Sequence, residues 1–288
     1  MKKNTLTSIV VPVKNRAALL QELIESVLAQ DIASWELIIV DDGSDDETID
    51  IGMRYQRQDP RIRFATRSSP NPGASVCRNE GLKMAGGDFV VFIDSDDLIE
   101  PDCINGRVSA MLSDPSLDFV VFQGGLFVNE FGDYEEGVSV FGDNADHIDR
   151  FLELDFVWHT NAPMWRKTSI ERIGGWKESL PNRQDWELWI RALSHGLRYE
   201  TFDQPDFWAR LSGGTREAMG MYQKTFRYAE GILMASLACS ESLKTSGLLN
   251  KRRQRAIGGN YLLAVYTMQD AMHRRDALQT WLMLYRTG

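Results

Sequence analysis

Phe89-Val90-Val91-Phe92-Ile93-Asp94-Ser95-Asp96-Asp97 is the stretch that decides the fold. Five apolar residues rich in Val, Ile and Phe read as a strand buried on both faces, the kind found in a parallel α/β sheet. Three carboxylates occupy the next four positions, at the C-terminal end of that strand. Ligands of open α/β sheets bind outside that end. Like charges so close repel one another, so a positive partner is expected. A divalent cation carrying a phosphorylated molecule fits, because hard cations take oxygen ligands. The plain alternative is an acidic turn, since Asp is a good turn former.

Outward from this stretch, strands and helices alternate. Ser8–Val13 reads as a strand, and Leu19, Leu20, Leu23, Ile24, Val27 and Leu28 then repeat at helical spacing. Trp35–Val40 is a second strand, ending in the acidic run 41–47, with a helix starting near Glu47 or Thr48. Ile62–Ala65 is a third strand, and Pro70-Asn71-Pro72-Gly73 forces a loop. A helix over 74–84 stops at Gly86-Gly87. Pro101 opens another helix, and Phe119–Phe122 is a further strand. Short alternating connections predict a doubly wound, mostly parallel α/β sheet. From about 124 to 146 the text reads as an irregular insertion. A short helix is expected over 147–154, a helix over 165–175 and an amphipathic one over 183–194. Two short strands are expected over 197–202 and 207–211. Helices are then expected over about 217–246, 251–272 and 275–286.

Totals bound the answer. The chain has 288 residues, 43% hydrophobic and 25% charged, an ordinary globular composition. No apolar run has transmembrane length, and the first apolar stretch is too short for a signal-peptide core. Cys77, Cys103 and Cys239 are scattered, without metal spacing, which predicts a reducing compartment and no disulfide frame. His147, His159, His195 and His273 form no ligand pair and read as surface or packing residues. The net charge of −9 is uneven. Residues 217–288 carry ten Lys/Arg and five Asp/Glu, a net of +5, against −14 for the rest. An acidic chain argues against nucleic acid as a partner. The run Lys251-Arg252-Arg253-Gln254-Arg255 is a solvated helix face, or touches anionic lipid or the acidic part of the chain.

No dinucleotide glycine fingerprint follows the first strand, and no Gly-Lys-Ser/Thr phosphate loop exists. Acidic residues end two strands instead. Four motifs follow in order: Ile9-Val10-Val11-Pro12-Val13-Lys14-Asn15, Leu37-Ile38-Ile39-Val40-Asp41-Asp42-Gly43-Ser44, Ala74-Ser75-Val76-Cys77-Arg78-Asn79-Glu80-Gly81 and Phe92-Ile93-Asp94-Ser95-Asp96-Asp97. Together they resemble the family-two inverting nucleotide-sugar glycosyltransferases of GT-A fold, over roughly residues 7–215.

The resemblance implies a Rossmann-like nucleotide-binding half (1–123) and an acceptor-binding half (124–215), forming a GT-A domain (1–215), followed by a helical C-terminal extension (216–288). It implies that Pro12, Val13 and Asn15 line the nucleotide pocket and that Asp42 or Asp41 accepts a hydrogen bond from the base. An ionised carboxylate is acceptor-only and suits a pyrimidine N–H. Arg78 would lie near the nucleotide or its phosphates, its plain alternative being an ion pair with Glu80 or Asp88. Asp94 and Asp96 would be the metal motif for Mn²⁺ or Mg²⁺, with Asp94 also on the ribose or sugar side and Asp97 bracing the loop. Asp185 would be the general base, within Arg183-Gln184-Asp185-Trp186-Glu187, where Gln184 replaces the usual Glu. Its plain alternative is a carboxylate stabilising a helix N-terminus. Glu187 is the second candidate. Ile173-Gly174-Gly175-Trp176 would border the sugar and acceptor. Trp158, Trp165, Trp176, Trp186 and Trp189 fall on that side, as sugar-stacking faces or as core.

One departure from the family pattern falls at Phe207-Trp208-Ala209-Arg210-Leu211, where Leu211 takes the place of a His near the pyrophosphate. Arg210 or Arg216 would then supply the charge. The resulting expectation is an inverting transferase moving a sugar from a nucleotide sugar, first of all a UDP-sugar, to a glycan or lipid-linked hydroxyl acceptor in bacterial cell-surface polysaccharide synthesis. The site would be cytoplasmic, with peripheral contact to the inner face of the membrane through the basic helices as an open option. A nucleotidyltransferase and a non-catalytic nucleotide-sugar-binding module are the other open readings.

Overall fold

The structure, a computed structural model, describes residues 5–128, 137–138, 141, 146–155, 157–211 and 225–271. The chain forms two compact units. The first comprises residues 1–143, 157–176 and 197–211; the second comprises 144–156, 177–196 and 212–288.

The first unit opens with β1 (Thr7–Val13), α1 (Ala17–Leu28), β2 (Trp35–Asp41), α2 (Thr48–Gln58), β3 (Ile62–Thr66), α3 (Ala74–Met84) and β4 (Phe89–Phe92). It continues with β5 (Leu98–Ile99), α4 (Cys103–Ser113), β6 (Phe119–Phe127), β7 (Gly137–Val138), β8 (Pro163–Arg166), α6 (Lys167–Arg172) and β9 (Tyr199–Arg210). The strands of the described residues form one sheet in the order β3-β2-β1-β4-β8-β6-β9-β5, with β7 paired to β6. β1, β2, β3 and β4 are mutually parallel, as is the long β6/β9 pair. The apolar cores of β1, β2 and β4 are buried to within 2% exposure, which is why they read as continuous apolar runs rather than alternating ones. Each such side chain contributes about 1.5–3 kcal/mol when fully buried. Strand order reverses at β1, which lies between β2 and β4. That reversal is a topological switch point, and it opens a crevice at the carboxyl ends of these strands.

Three expectations are corrected here. The helix expected over 165–175 begins only at Lys167, because Pro163–Arg166 is a strand inserted antiparallel between β4 and β6. The strand expected to stop at Phe122 runs on to Phe127, within the stretch read as irregular. Gly124 and Gly125 permit this, since a Cβ there would strike the Phe207 and Trp208 rings of β9. The two strands expected over 197–211 are one strand with a register irregularity beside Gln123. The remainder of the expected irregular stretch, outside 128, 137–138, 141 and 146, lies outside the described residues.

The second unit holds α5 (His147–Leu152), α7 (Gln184–Ser194), α8 (Phe226–Thr245) and α9 (Lys251–Ala271). The Asp146 side chain caps α5 by accepting from the N–H groups of Ile148 and Asp149. α7 packs on α8, and α8 on α9 through Ala229, Ile232, Leu233 and Ala264. Of the helix expected over 217–246, Phe226–Thr245 is seen as α8; residues 217–224, Arg216 and the helix expected over 275–286 lie outside the described residues. The basic run at 251–255 is largely spent inside this unit. Arg253 is 6% exposed and reaches Asp146 at 2.6 Å and Asp149 at 2.7 Å. Arg252 pairs with Glu153 at 2.7 Å and Asp149 at 2.9 Å. Lys251 and Arg255 stay exposed.

Candidate functional site

A cleft of about 200 Å³ lies in the first unit, lined by Pro12, Val13, Lys14, Arg16, Asp42, Ala74, Arg78, Asp94, Ser95 and Asp96. It sits where β1, β2 and β4 end and α3 begins. Of the residues expected at a nucleotide site, Pro12, Val13, Asp42, Arg78, Asp94 and Asp96 come together on this lining; Asn15 and Asp41 do not.

Asp41 and Asp42 divide their work. Asp41 is fully buried and folds the turn: it accepts from Gly43 N at 3.0 Å, from Ser44 N at 3.1 Å and from Ser44 Oγ at 2.5 Å. Asp42 faces the cleft, accepts from Gly73 N at 3.0 Å and pairs with Arg67 Nε at 2.5 Å. Asn15 stands in the left-handed region, at φ +51, a conformation Asn tolerates better than most residues. Its N–H donates to Ser44 Oγ at 2.9 Å, and its Oδ1 accepts from Asp45 N at 2.9 Å. Asn15 and Asp41 therefore shape the two loops that carry the lining.

Arg78 bonds neither Glu80 nor Asp88. Its Nη2 donates to Asp94 Oδ1 at 2.5 Å, and its guanidinium lies over the Trp176 ring, 4.4 Å from the centroid. Glu80 instead accepts from the N–H groups of Ser68 and Ser69 at 2.8 Å. The neighbouring Asn79 clamps Trp176 from both sides, accepting from its N–H at 2.9 Å and donating to its carbonyl at 2.8 Å. Gly175 makes the approach possible. Its φ is +64, and a Cβ there would lie 2.7 Å from Asn79 Oδ1. The Gly174-Gly175-Trp176 turn is thus fixed beside α3.

The acidic loop carries unequal carboxylates. Asp97 is buried and accepts from Asn161 Nδ2 at 2.6 Å and from Arg210 N at 2.8 Å. Asp96 is half-buried, with Arg16 Nη2 at 3.9 Å. Burial, and then the Asp94 charge, push the Asp96 carboxyl above its usual range. Burial also pushes Asp97 well up, followed by the charges of Asp94 and Asp96. Asp96 and Asp97, both raised in part by the neighbouring Asp94 charge, mark a loop short of positive charge.

Asp94, Asp97 and His159 each offer a ligand atom within 4.8 Å of the others. Two carboxylates and an imidazole are a donor set that suits Mn²⁺, so the residues fit a divalent cation. His159 was expected to be surface or packing. Its ring does pack, stacked on Phe207 with 5.6 Å between centroids, and its place beside the acidic loop follows from the β4/β8 register. Val91 faces Met164, so the turn before β8 lies alongside the acidic end of β4. The helix expected over 165–175 concealed that pairing.

Arg210 is already engaged, donating to the Asp96 carbonyl at 3.0 Å and to Glu22 at 2.5 Å. Leu211 donates its N–H to the Phe127 carbonyl at 2.7 Å. In the second unit, Asp185 is the second residue of α7, half-buried, and its Oδ1 accepts from Trp186 N at 2.7 Å. Arg183, just before the helix, takes φ +56. Glu187 is fully buried, with Arg191 at 2.9 Å and Lys177 at 3.8 Å. Those cations commit it to the unit's own interior. Trp158, Trp165, Trp176, Trp186 and Trp189 are all at most 2% exposed. Of the two readings for these tryptophans, core is the one their burial supports.

Comparison with known proteins matches residues 8–171 to the model of glycosyl transferase family 2. The putative teichuronic acid biosynthesis glycosyltransferase TuaG of Bacillus subtilis is 38% identical over 201 residues, covering 67% of this chain and 73% of that protein. The chain spans only 21 to 32% of the length of other curated relatives, from Sinorhizobium fredii and two Rickettsia species. Among solved structures, S. aureus TarS 1-349 in complex with UDP-GlcNAc superposes with a TM-score of 0.61 at 21% identity, covering 95% of this chain and 83% of that one. The mannosyltransferase PcManGT from Pyrobaculum calidifontis, in complex with GDP-Man and Mn²⁺, gives 0.59 at 18% identity, covering 99% and 83%. At such identities the structures establish a shared fold and nothing finer.

Proposed function

The chain belongs to glycosyl transferase family 2, and from that membership we propose that it moves a sugar, with inversion, from a nucleoside diphosphate sugar to a hydroxyl acceptor. The observation that carries this reading is the convergence of Asp42, Arg78, Asp94 and Asp96 with Lys14 and Arg16 around one cleft at the switch point. Asp42 offers an acceptor for a base N–H at one end. Lys14, Arg16 and the amino end of α3 offer positive charge for a diphosphate. Asp94 and Asp96, with His159 and Asp97 adjoining, would hold Mn²⁺ or Mg²⁺. When bound, such an ion neutralises charge on the diphosphate leaving group as a Lewis acid.

In this reading Asp185 accepts the proton of the acceptor hydroxyl. The hydroxyl oxygen bonds to the anomeric carbon from the face opposite the diphosphate, and the C–O bond to the diphosphate breaks with its electron pair on the leaving group. The half-exposed Asp185 is better suited to this than the buried, doubly paired Glu187. A UDP-sugar is the first donor to try. The likeness to TuaG supports an acceptor from cell-surface polysaccharide synthesis, glycan or lipid-linked. The three free, buried cysteines support a cytoplasmic setting. No described helix is long and apolar enough to cross a membrane. Peripheral contact is supported by α9, whose Lys251, Arg255, Leu262 and Tyr266 share one outward stripe.

Calorimetric titration with UDP, with and without Mn²⁺, tests the site. Binding should depend on the metal, and Asp96→Ala should abolish that dependence. Equal affinity with and without metal removes the cation's role. UDP binding without transfer or slow hydrolysis of UDP-GlcNAc or GDP-Man would leave the chain a binding module.

A further inference from the structure

Asn161 lies in none of the motifs and does not line the cleft, yet it is fully buried and every polar atom it has is engaged. Its N–H donates to His159 Nδ1 at 3.3 Å. Its Oδ1 accepts from Asp94 N at 3.0 Å, and its Nδ2 donates to Asp97 Oδ2 at 2.6 Å. Its carbonyl accepts from Arg107 Nη1 at 2.7 Å. The orientation of the amide follows from its neighbours, since a backbone N–H only donates and a carboxylate accepts.

Behind Asn161 stands a rigid support. Arg107 is fully buried and grips Asp206 through two bonds, at 2.7 and 2.6 Å. Such a forked pair fixes direction as well as distance. A single planar amide therefore spans the main chain of Asp94 and the side chain of Asp97, while the main-chain N–H of Asn161 meets His159. Asp94, Asp97 and His159 are the three residues whose ligand atoms cluster within 4.8 Å.

We infer that Asn161 is the positioning residue of the cation site: anchored by Arg107 and Asp206, its side chain sets the spacing of Asp94 and Asp97 and so tunes divalent-cation affinity without touching the ion. This rests on the cation-dependent reading above. An aspartate at 161 would put a second carboxylate against Asp97, and an alanine would leave the Asp97 carboxylate and the Asp94 N–H short of a partner. Outer partners of metal ligands typically shift metal affinity by about 10–100-fold when removed.

The test measures Mn²⁺ affinity calorimetrically at saturating UDP, alongside the affinity for uridine without metal, in wild type and Asn161→Ala. The expected result is Mn²⁺ binding weaker by about tenfold or more, with uridine binding within about twofold of wild type. Asn161→Ser, which keeps a small polar group, should fall between and serves alone if the alanine variant does not fold. Mn²⁺ affinity within about twofold of wild type in a folded variant overturns the inference. So does an equal loss of uridine and Mn²⁺ binding, which marks a merely structural role. Wild type that binds UDP with no metal dependence defeats the cation-dependent reading itself and takes this inference with it.

Discussion

Arg78 stacks on Trp176, its guanidinium 4.4 Å from the ring centroid, while its Nη2 holds Asp94 at 2.5 Å. Trp176 in turn meets Phe92 edge-on, 5.2 Å between centroids. The last apolar residues of β4, the Gly174-Gly175-Trp176 turn and the first half of α3 are therefore tied through one side chain. Arg78 is 6% exposed, so its charge is bearable only because Asp94 meets it.

Arg78→Lys should not be conservative. A lysine keeps the charge but loses the planar face that stacks on an indole and the fork that aims at a carboxylate. The expected effect is a loss of about 1.5–3 kcal/mol in donor binding, about ten- to hundredfold in affinity, as Asp94 loses its charge-assisted partner. Isothermal titration with UDP and Mn²⁺ measures it. Wild-type affinity in the lysine variant would show that neither the stacking nor the fork matters to the site.

Arg16 makes a different prediction. It lines the cleft at 38% side-chain exposure, and Asp96 lies 3.9 Å away, long for an ion pair. Arg210 is held by Glu22 and the Asp96 carbonyl, so Arg16 and the exposed Lys14 are the better-placed cations for a diphosphate. Arg16→Gln should weaken UDP binding by about tenfold or more, the worth of a hydrogen bond to a charged group, and leave uridine binding unchanged. Equal weakening of both ligands would argue that Arg16 shapes the pocket and does not contact phosphate.

Asp118 gives a pH-dependent prediction away from the cleft. Burial raises its carboxyl, but bonds from Ser169 Oγ at 2.5 Å, Arg198 N at 2.8 Å and Arg172 at 2.9 Å outweigh that and hold it below the usual value. A carboxylate depressed in the folded state adds stability that is present above its unfolded pKa and is lost as pH falls through its folded value. Asp118→Asn should therefore cost about 1.5–3 kcal/mol at pH 7. The difference between the two proteins should begin to shrink as pH falls through about 3.9, the unfolded Asp value, and close only below the lower folded value. Urea unfolding from about pH 2 to about pH 8, which brackets the Asp titration, reads this out, and a difference independent of pH would assign the effect to packing.

What was legible in the sequence and what was not divides on contact range. The β1, β2 and β4 runs announced themselves because strands buried on both faces are apolar throughout, and the carboxylates at their ends followed directly. His159 and Asn161 were illegible because β8 had to be recognised as a strand. Its Pro163-Met164-Trp165-Arg166 looks like the start of the helix it precedes, and only pairing with Phe89–Val91 makes it a strand. Asp41 and Asp42 are identical in sequence terms, and only the turn's geometry gives one to Ser44 and the other to the cleft. For the Arg252-Arg253 run, contact with the acidic part of the chain was one of three open readings, and the sequence could not choose it because the acidic partners lie about a hundred positions earlier.

The remaining basic and apolar groups of α9 carry the next prediction. Leu262 is 61% exposed and Tyr266 65%, and both follow the exposed Lys251 and Arg255 along the same face. A cationic end beside aromatic and aliphatic groups suits the surface of an anionic bilayer, where each Lys or Arg adds about 1 kcal/mol. Wild type should float with vesicles containing phosphatidylglycerol more than with neutral ones, and Leu262→Glu with Tyr266→Glu should abolish the difference. Unchanged flotation of the double variant would exclude this face as the contact.

Asp185 carries the last prediction, and it separates chemistry from binding. The carboxylate sits in the first turn of α7, half-buried, with its Oδ1 accepting from Trp186 N at 2.7 Å. Asp185→Asn keeps the size and the hydrogen-bond acceptor that meets Trp186 N, so the helix start should survive. What it removes is the ability to take a proton. Transfer should fall by about 10²–10⁴-fold, the usual worth of a general base, with UDP and Mn²⁺ affinities unchanged. Glu187→Gln is the contrasting variant. Its carboxylate is buried against Arg191 and Lys177, so its loss should lower the unfolding midpoint, and any loss of turnover should follow the fraction of unfolded protein. Full turnover in Asp185→Asn would dismiss it as the base, and a folded but inactive Glu187→Gln would pass the role two residues along α7.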